Sequence, residues 1–159
     1  MPRAYVCGTF DTKAPELGFI AACLRDAGVD TCTVDVSTRP HEVRCDVTAA
    51  DVARHHPLGE AAVLGLHDRG VAITAMVMAF ERFVAGRNDV AGMIGAGGSG
   101  GTALLAPAMR ALPVGVPKLL VSTVASGNVA AYVGASDLWL VPSMTDVQGL
   151  NRISRRLLG

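Results

Sequence analysis

Five short apolar runs punctuate the chain, at residues 4–7, 31–36, 90–94, 116–121 and 138–141, and each gives way to a polar or glycine-rich break. Runs of that length bounded by turn residues predict strands buried on both faces. Between the first two, Leu17, Ile20, Ala21 and Leu24 recur at helical spacing in a helix predicted over 15–27, with Gly28 placed to end it. The longest periodic segment is 59–85, with a break expected at 67–70 and an apolar face of Val71, Ala75, Met78 and Ala79 continued by Phe83. Met76 and Met78 read as core or interface fillers. Further helices are predicted over 102–111, where Pro107 is a candidate kink, and over 147–158. Residues 37–58 carry Pro40, Pro57 and three histidines, and read as an irregular connection with one helical turn near 48–53. Alternation of strands with helices predicts an α/β fold, a mostly parallel five-stranded sheet between two helical layers.

In such a sheet a ligand sits outside the carboxyl ends of the strands, where the strand order reverses. The breaks at those ends are 8–13, Asp35 onwards, 95–102, 122–127 and 143–146, so the glycines and polar residues converge on one rim. That convergence points to a single ligand site.

The densest break is Gly95-Ala-Gly-Gly-Ser-Gly-Gly-Thr102, between an apolar run and a helix-forming stretch. This order gathers backbone N–H groups and a helix N-terminus at one point, which suits an anion. Three patterns overlie it. Gly95, Gly97 and Gly100 satisfy G-x-G-x-x-G, but no acidic residue follows at 119–122. Gly95, Gly100 and Thr102 fit the P-loop spacing, with Gly101 where the lysine belongs, an absence that phosphate binding survives better than phosphoryl transfer does. Ser99 between Gly97 and Gly101 imitates a nucleophile elbow, yet all four histidines precede it, so the Ser-acid-His order of that fold cannot be assembled. A turn that only lets a helix pack closely on a sheet is the alternative. Lys13 lies where it can meet a phosphate held by the glycine loop, or it is a solvated loop lysine. Asp35, at the end of the second strand, can accept from a ribose hydroxyl or cap its own loop, and Asp11 or Asp35 can serve Mg²⁺.

Composition narrows the classes. Half of the 159 residues are hydrophobic, 18% are charged, one is tryptophan and the formal net charge is zero. This suits one domain with an Ala/Val/Leu core, and gives no basic, aromatic-interleaved surface for nucleic acid. Cys7, Cys23, Cys32 and Cys45 lack zinc-site spacing and read as small buried hydrophobes, while His55 and His56 read as surface residues, so no metal site is expected. There is no signal-peptide pattern and no apolar run near the ~18 residues that span a bilayer, so a cytoplasmic protein without membrane partners is expected.

Six segments, Gly8-Thr-Phe-Asp-Thr-Lys13, Gly97-Gly-Ser-Gly-Gly-Thr102, Leu112-Pro-Val-Gly-Val-Pro-Lys118, Val121-Ser-Thr-Val-Ala-Ser-Gly127, Tyr132-Val-Gly134 and Asp146-Val-Gln-Gly-Leu-Asn151, together resemble the Tm-1-like ATP-binding family, also called the UPF0261 proteins. The match runs in order along nearly the whole chain. It implies a single Rossmann-like N-terminal domain over 1–159, with ATP as ligand, self-association, and a second α/β half. The implied contacts are Thr9, Asp11, Thr12 and Lys13 in the first loop, Gly97, Gly98, Ser99, Gly100, Gly101 and Thr102 in the glycine loop, and Ser122, Thr123, Ser126 and Gly127 in the later one. Two departures stand out: Ala14 replaces a glycine that usually follows the lysine, and the sequence stops at Gly159 where the family continues. The expectation is an isolated N-terminal domain, or one whose second half is a separate chain. Nucleotide binding is the function expected. The alternative is an enzyme acting on a small carboxylate or phosphorylated metabolite at the same rim, with Ser99, Ser126 or Lys13 as reactive group; a third reading is an oligomerisation unit with a structural ligand.

Overall fold

The computed structural model describes residues 1–144 and 149–159. Five strands, β1 (Arg3–Gly8), β2 (Thr31–Asp35), β3 (Val90–Gly97), β4 (Lys118–Ser122) and β5 (Trp139–Pro142), form one sheet in the order β2-β1-β3-β4-β5, with every pairing parallel. Helices α1 (Phe10–Asp26), α2 (Ala49–Ala53), α3 (Arg69–Ala85), α4 (Ser99–Ala111), α5 (Ala130–Val133) and α6 (Arg152–Leu158) complete the described elements, with a 3₁₀ turn at Glu60–Ala62. The three-layer α/β fold expected from the alternating pattern is therefore present.

Alternate residues of the strands feed two cores. Tyr5 and Cys7 join α3 and α4 residues such as Phe80, Phe83, Leu105 and Met109 on one face, while Val6 packs with Leu17 and Ile20 of α1 and with Leu157 and Leu158 of α6 on the other. The register sets the strand ends level: Gly8 lies beside Asp35, Cys7 beside Gly95, and Gly97 beside Ser122. The order reverses between β1 and β3, which is the switch point where ligands bind such sheets. The outer edge of β2 is closed by the chain itself, since the Asp35 N–H donates to Val47 O at 2.9 Å and the Val47 N–H to Thr33 O at 2.9 Å.

Several boundaries differ from the sequence expectation for identifiable reasons. The first polar loop is wound into helix: α1 begins at Phe10, with non-helical φ/ψ at Lys13, because Asp35 and Ser37 of the neighbouring strand end accept its first N–H groups. Strand β3 runs on through Gly95 and Gly97, and α4 starts at Ser99, so the glycine loop shrinks to a tight turn at Gly98. The two strand glycines permit the close approach of α4. A Cβ on Gly95 would lie 2.7 Å from Leu105 Cδ1 and 2.9 Å from Cys7 O, and one on Gly97 would lie 3.0 Å from Gly101 Cα. The inward face of α3 is Ala72, Ala75, Met76, Ala79, Phe80 and Phe83. Val71 and Met78, expected on that face, are exposed at 56% and 43%, because nearly every residue of 71–80 is apolar and the inward stripe takes Ala72 and Met76 instead. The expected helix start at Val147, and the end of the last rim loop at Asp146, lie outside the described residues.

Candidate functional site

The hub beneath the rim is Asp35. Its Oδ1 accepts from the Phe10 N–H at 3.1 Å, the Ser37 N–H at 2.9 Å and the Ser37 hydroxyl at 2.6 Å, while His41 Nε2 meets Oδ2 at 2.8 Å. His41 Nδ1 accepts from the Val43 N–H, which leaves Nε2 as the ring's donor to Asp35. The carboxylate, 2% exposed, thus fastens the β1–α1 junction to the segment after β2. Ser37 Oγ also accepts from the Asp11 N–H and shares a hydrogen bond with Asp11 Oδ1. The first N–H groups of α1 are therefore satisfied internally: those of Phe10 and Asp11 by side chains, those of Thr12 and Lys13 by Thr9 O.

The N-terminus of α4 is different. The Thr102 N–H makes the first helical bond, to Gly98 O at 2.9 Å, and among the described residues the N–H groups of Ser99, Gly100 and Gly101 have no acceptor. Four N–H groups at a helix start always lack partners within the helix, and they carry the positive end of its dipole. Thr102 itself is buried, its hydroxyl donating to Gly98 O at 2.7 Å and sharing a short hydrogen bond with Ser122 Oγ. Ser122 Oγ in turn accepts from the Val124 N–H. This buried pair ties the glycine turn to the end of β4, behind the rim.

A cleft of about 290 Å³ opens over these elements at the β1/β3 switch point. Thr9, Asp11, Thr12 and Lys13 line it from one side, Gly98, Ser99, Gly100 and Gly101 from another, and Thr123 from the end of β4. Nine of the residues singled out in the sequence are thus brought together. Gly97, Thr102, Ser122 and Asp35 support the cleft from behind without lining it, while Ser126 and Gly127 are exposed and lie outside it.

Residues that the sequence reading did not single out complete the walls. Arg39, from the segment after β2, and Arg69, the first residue of α3, both face the cleft, and among the described residues neither forms an ion pair. Arg69 Nη2 is 3.7 Å from where a Cβ on Gly100 would stand. Lys13 Nζ bonds Glu16 Oε1 at 3.2 Å, and the Gly149 N–H donates to the same oxygen at 3.0 Å. Glu16 is 5% exposed, and its Oε2 is buried without a partner among the described residues, beside a cavity of about 30 Å³ that has Thr123 in its wall. A space of that size admits a water or a hydroxyl group. An i, i+3 Lys–Glu pair is an ordinary helix-surface pattern, so only its burial could have marked Glu16.

No group of three or more His, Cys, Asp or Glu side chains gathers among the described residues. Cys7 and Cys32 are buried, with Cys23 and Cys45 partly so, all as free thiols. Burial, reinforced by the Asp35 charge, pushes the Cys45 thiol up to about 11, so it is protonated at neutral pH. No helix among the described residues is long and apolar enough to cross a membrane.

Comparison with known proteins supplies the lineage. Residues 2–159 match the "Uncharacterised protein family (UPF0261) N-terminal domain". Relatives include UPF0261 proteins of Mesorhizobium japonicum and Rhizobium meliloti, each 52% identical over 158 residues, covering 99% of this chain and 40% of the relative. The ToMV resistance protein Tm-1(GCR237) of Solanum lycopersicum is 43% identical over 176 residues, covering 99% of this chain and 23% of that protein. The chain therefore spans less than half the length of these relatives. With a family match over essentially all of its residues and a fold to suit, this chain belongs to the UPF0261 family as its N-terminal domain.

Proposed function

We propose that the cleft holds the phosphates of a nucleotide, ATP being the ligand that the family resemblance suggests. The observation that carries this reading is the meeting of two guanidinium groups, Arg39 and Arg69, that have no ion-pair partner among the described residues, with the three N–H groups of Ser99, Gly100 and Gly101. Phosphate oxygens accept from guanidinium and helix N-terminal donors alike, and charge-assisted bonds of this kind are the stronger ones. The arginines supply the charge that a P-loop would take from the lysine replaced by Gly101. Lys13 keeps two donors beyond its bond to Glu16, so it can add to the same anion. Asp11 lines the cleft and is the carboxylate available to an Mg²⁺ carried in with the phosphates.

Calorimetric titration with ATP, with and without Mg²⁺ and with AMP as comparison, tests the proposal. Saturable ATP binding that AMP does not match supports it, and equal or absent binding of the two overturns it. We further propose that the domain works in the cytoplasm as part of a self-associating assembly with a second α/β half, the extra length of the relatives leaving room for such a half.

A second reading is favoured by Glu16. A buried carboxylate oxygen with no partner among the described residues, next to Lys13 and the cleft, is a candidate proton acceptor for chemistry on a small carboxylate or phosphorylated metabolite. Turnover abolished by Glu16→Gln, with ligand affinity retained, distinguishes this enzyme from a binding module.

A further inference from the structure

A second cavity, also of about 290 Å³, lies beyond the end of β2 and shares Thr38 and Arg39 with the phosphate cleft. Each alone falls just below the ~300–1,000 Å³ range of small-molecule sites, and joined they fall inside it. We propose that the two form one bipartite site, with a polyphosphate over the glycine turn and a flat ring of nucleobase size in the second cavity. This rests on the phosphate reading of the cleft and adds where the rest of the ligand goes.

The walls of the second cavity suit a ring. Pro40, Val43, Cys45, Ala49, Ala50 and Leu64 give it an apolar lining. The Cys45 thiol donates to Val47 O and stays neutral, so it adds no charge. Apart from Thr38 and Arg39, which it shares with the phosphate cleft, the polar side chains at the wall are already committed to the chain. Both Asp35 oxygens, the Ser37 hydroxyl and both His41 ring nitrogens are engaged in the hub described above, and Thr48 Oγ1 is held in a reciprocal cap with Asp51. A ring there is held by contact area, not by hydrogen bonds that read its edges. Asp35 already holds four donors, three at Oδ1 and one at Oδ2, so a ribose hydroxyl would have to compete with them. The ligand class that follows is a nucleoside polyphosphate with little selectivity between bases.

The test compares inorganic triphosphate, ATP and GTP by calorimetry on the 159-residue chain at fixed ionic strength. ATP is expected to bind at least ~10-fold more tightly than triphosphate, since burial of a ring adds apolar contact. GTP is expected within about 3-fold of ATP, because the uncommitted polar side chains, Thr38 and Arg39, belong to the junction with the phosphate cleft and the rest of the lining is apolar or engaged. Ala50→Leu, which fills the cavity, and Val43→Asp, which places a charge on its apolar wall, are expected to bring the ratio of ATP to triphosphate affinity close to one. Val43 is 44% exposed, so its replacement decides the matter if Ala50→Leu lacks a cooperative melt. An ATP advantage that survives both substitutions, or no advantage in the unsubstituted chain, overturns the second cavity as the ring site while leaving the phosphate cleft standing. A preference of 10-fold or more between ATP and GTP overturns the unselective slot. Failure of triphosphate itself to bind overturns both readings together.

Discussion

Arg69 reaches across the glycine turn, with Nη2 3.7 Å from the point where a Cβ of Gly100 would be. The contact joins the start of α3 to the start of α4, two elements of the same core, so the guanidinium is carried to the open N–H groups by packing. Arg69→Ala is expected to weaken triphosphate binding ~10-fold or more, the worth of a charge-assisted hydrogen bond, and to weaken monophosphate binding less. Arg69→Lys should recover only part, because an ammonium lacks the planar fork. Titration of both variants with inorganic triphosphate and phosphate checks this, and equal losses for the two anions would remove Arg69 from the outer phosphates.

Gly97 gives a prediction about stability. A Cβ there would stand 3.0 Å from Gly101 Cα and 3.2 Å from its carbonyl carbon, and both are backbone atoms that cannot rotate away. Gly97→Ala is expected to cost ~1–3 kcal/mol through overpacking, and to displace the α4 turn. Gly101→Ala, with nothing within 4 Å of the new Cβ, should cost little and can gain from lower unfolded-state entropy. Denaturant melts of the two variants should separate them clearly.

Asp35→Ala removes the acceptor for two backbone N–H groups, a hydroxyl and a histidine at a residue only 2% exposed. Orphaned buried donors cost ~1–3 kcal/mol each, so a loss of at least ~3 kcal/mol is expected. Asp35→Asn keeps an acceptor and should lose less. Equal melting temperatures for Asp35→Ala and the unsubstituted chain would show that the hub is not a structural one.

Tyr5 offers a pH test far from the site. Its ring is buried, and burial together with the hydrogen bond to Asp89 pushes its phenol up to about 12, against the bond from Arg87, which lowers it. The folded chain therefore binds a proton that the unfolded chain releases near 10. The stability this adds is complete below that value and fades as pH rises from about 10 towards about 12. In a Tyr132→Phe background, leaving one tyrosine, absorbance titration should show phenolate forming near 12 in the folded chain and near 10 in denaturant. An ordinary titration in the folded chain would contradict the burial of the hydroxyl.

How far the sequence discloses all this depends on whether a residue's partners are near it in the chain. Val6, Val34, Ile94 and Leu120 announce their strands because a strand buried on both faces must be apolar throughout. The glycine turn announces itself by composition, though Gly95 and Gly97 proved to be strand residues that make room for Leu105 and Gly101. The choice between ribose contact and loop cap at Asp35 was open in the sequence, because the N–H that occupies it belongs to Phe10, 25 residues away. Arg39 and Arg69 were invisible as site residues: one sits in an irregular connection and the other reads as an ordinary first-turn helix residue. Val71 and Met78 misled because nearly every residue of 71–80 is apolar, so the 3.6-residue period alone does not single out the inward stripe.

The central place of β3 has a consequence for synthesis. Strand β1, made before β2, pairs with it at a separation of 27 residues, so a β-α-β unit can assemble as it leaves the ribosome. The cleft cannot. Its walls need Lys13, Arg39, Arg69 and the turn at Gly98, and Cys7 is joined to Gly95 only when β3 slides in beside β1. Non-local pairing of this kind is paid for in loop closure before it is rewarded, and comes late in folding. A ligand that needs all of these walls would therefore meet a complete cleft only after β3 has been made and paired with β1.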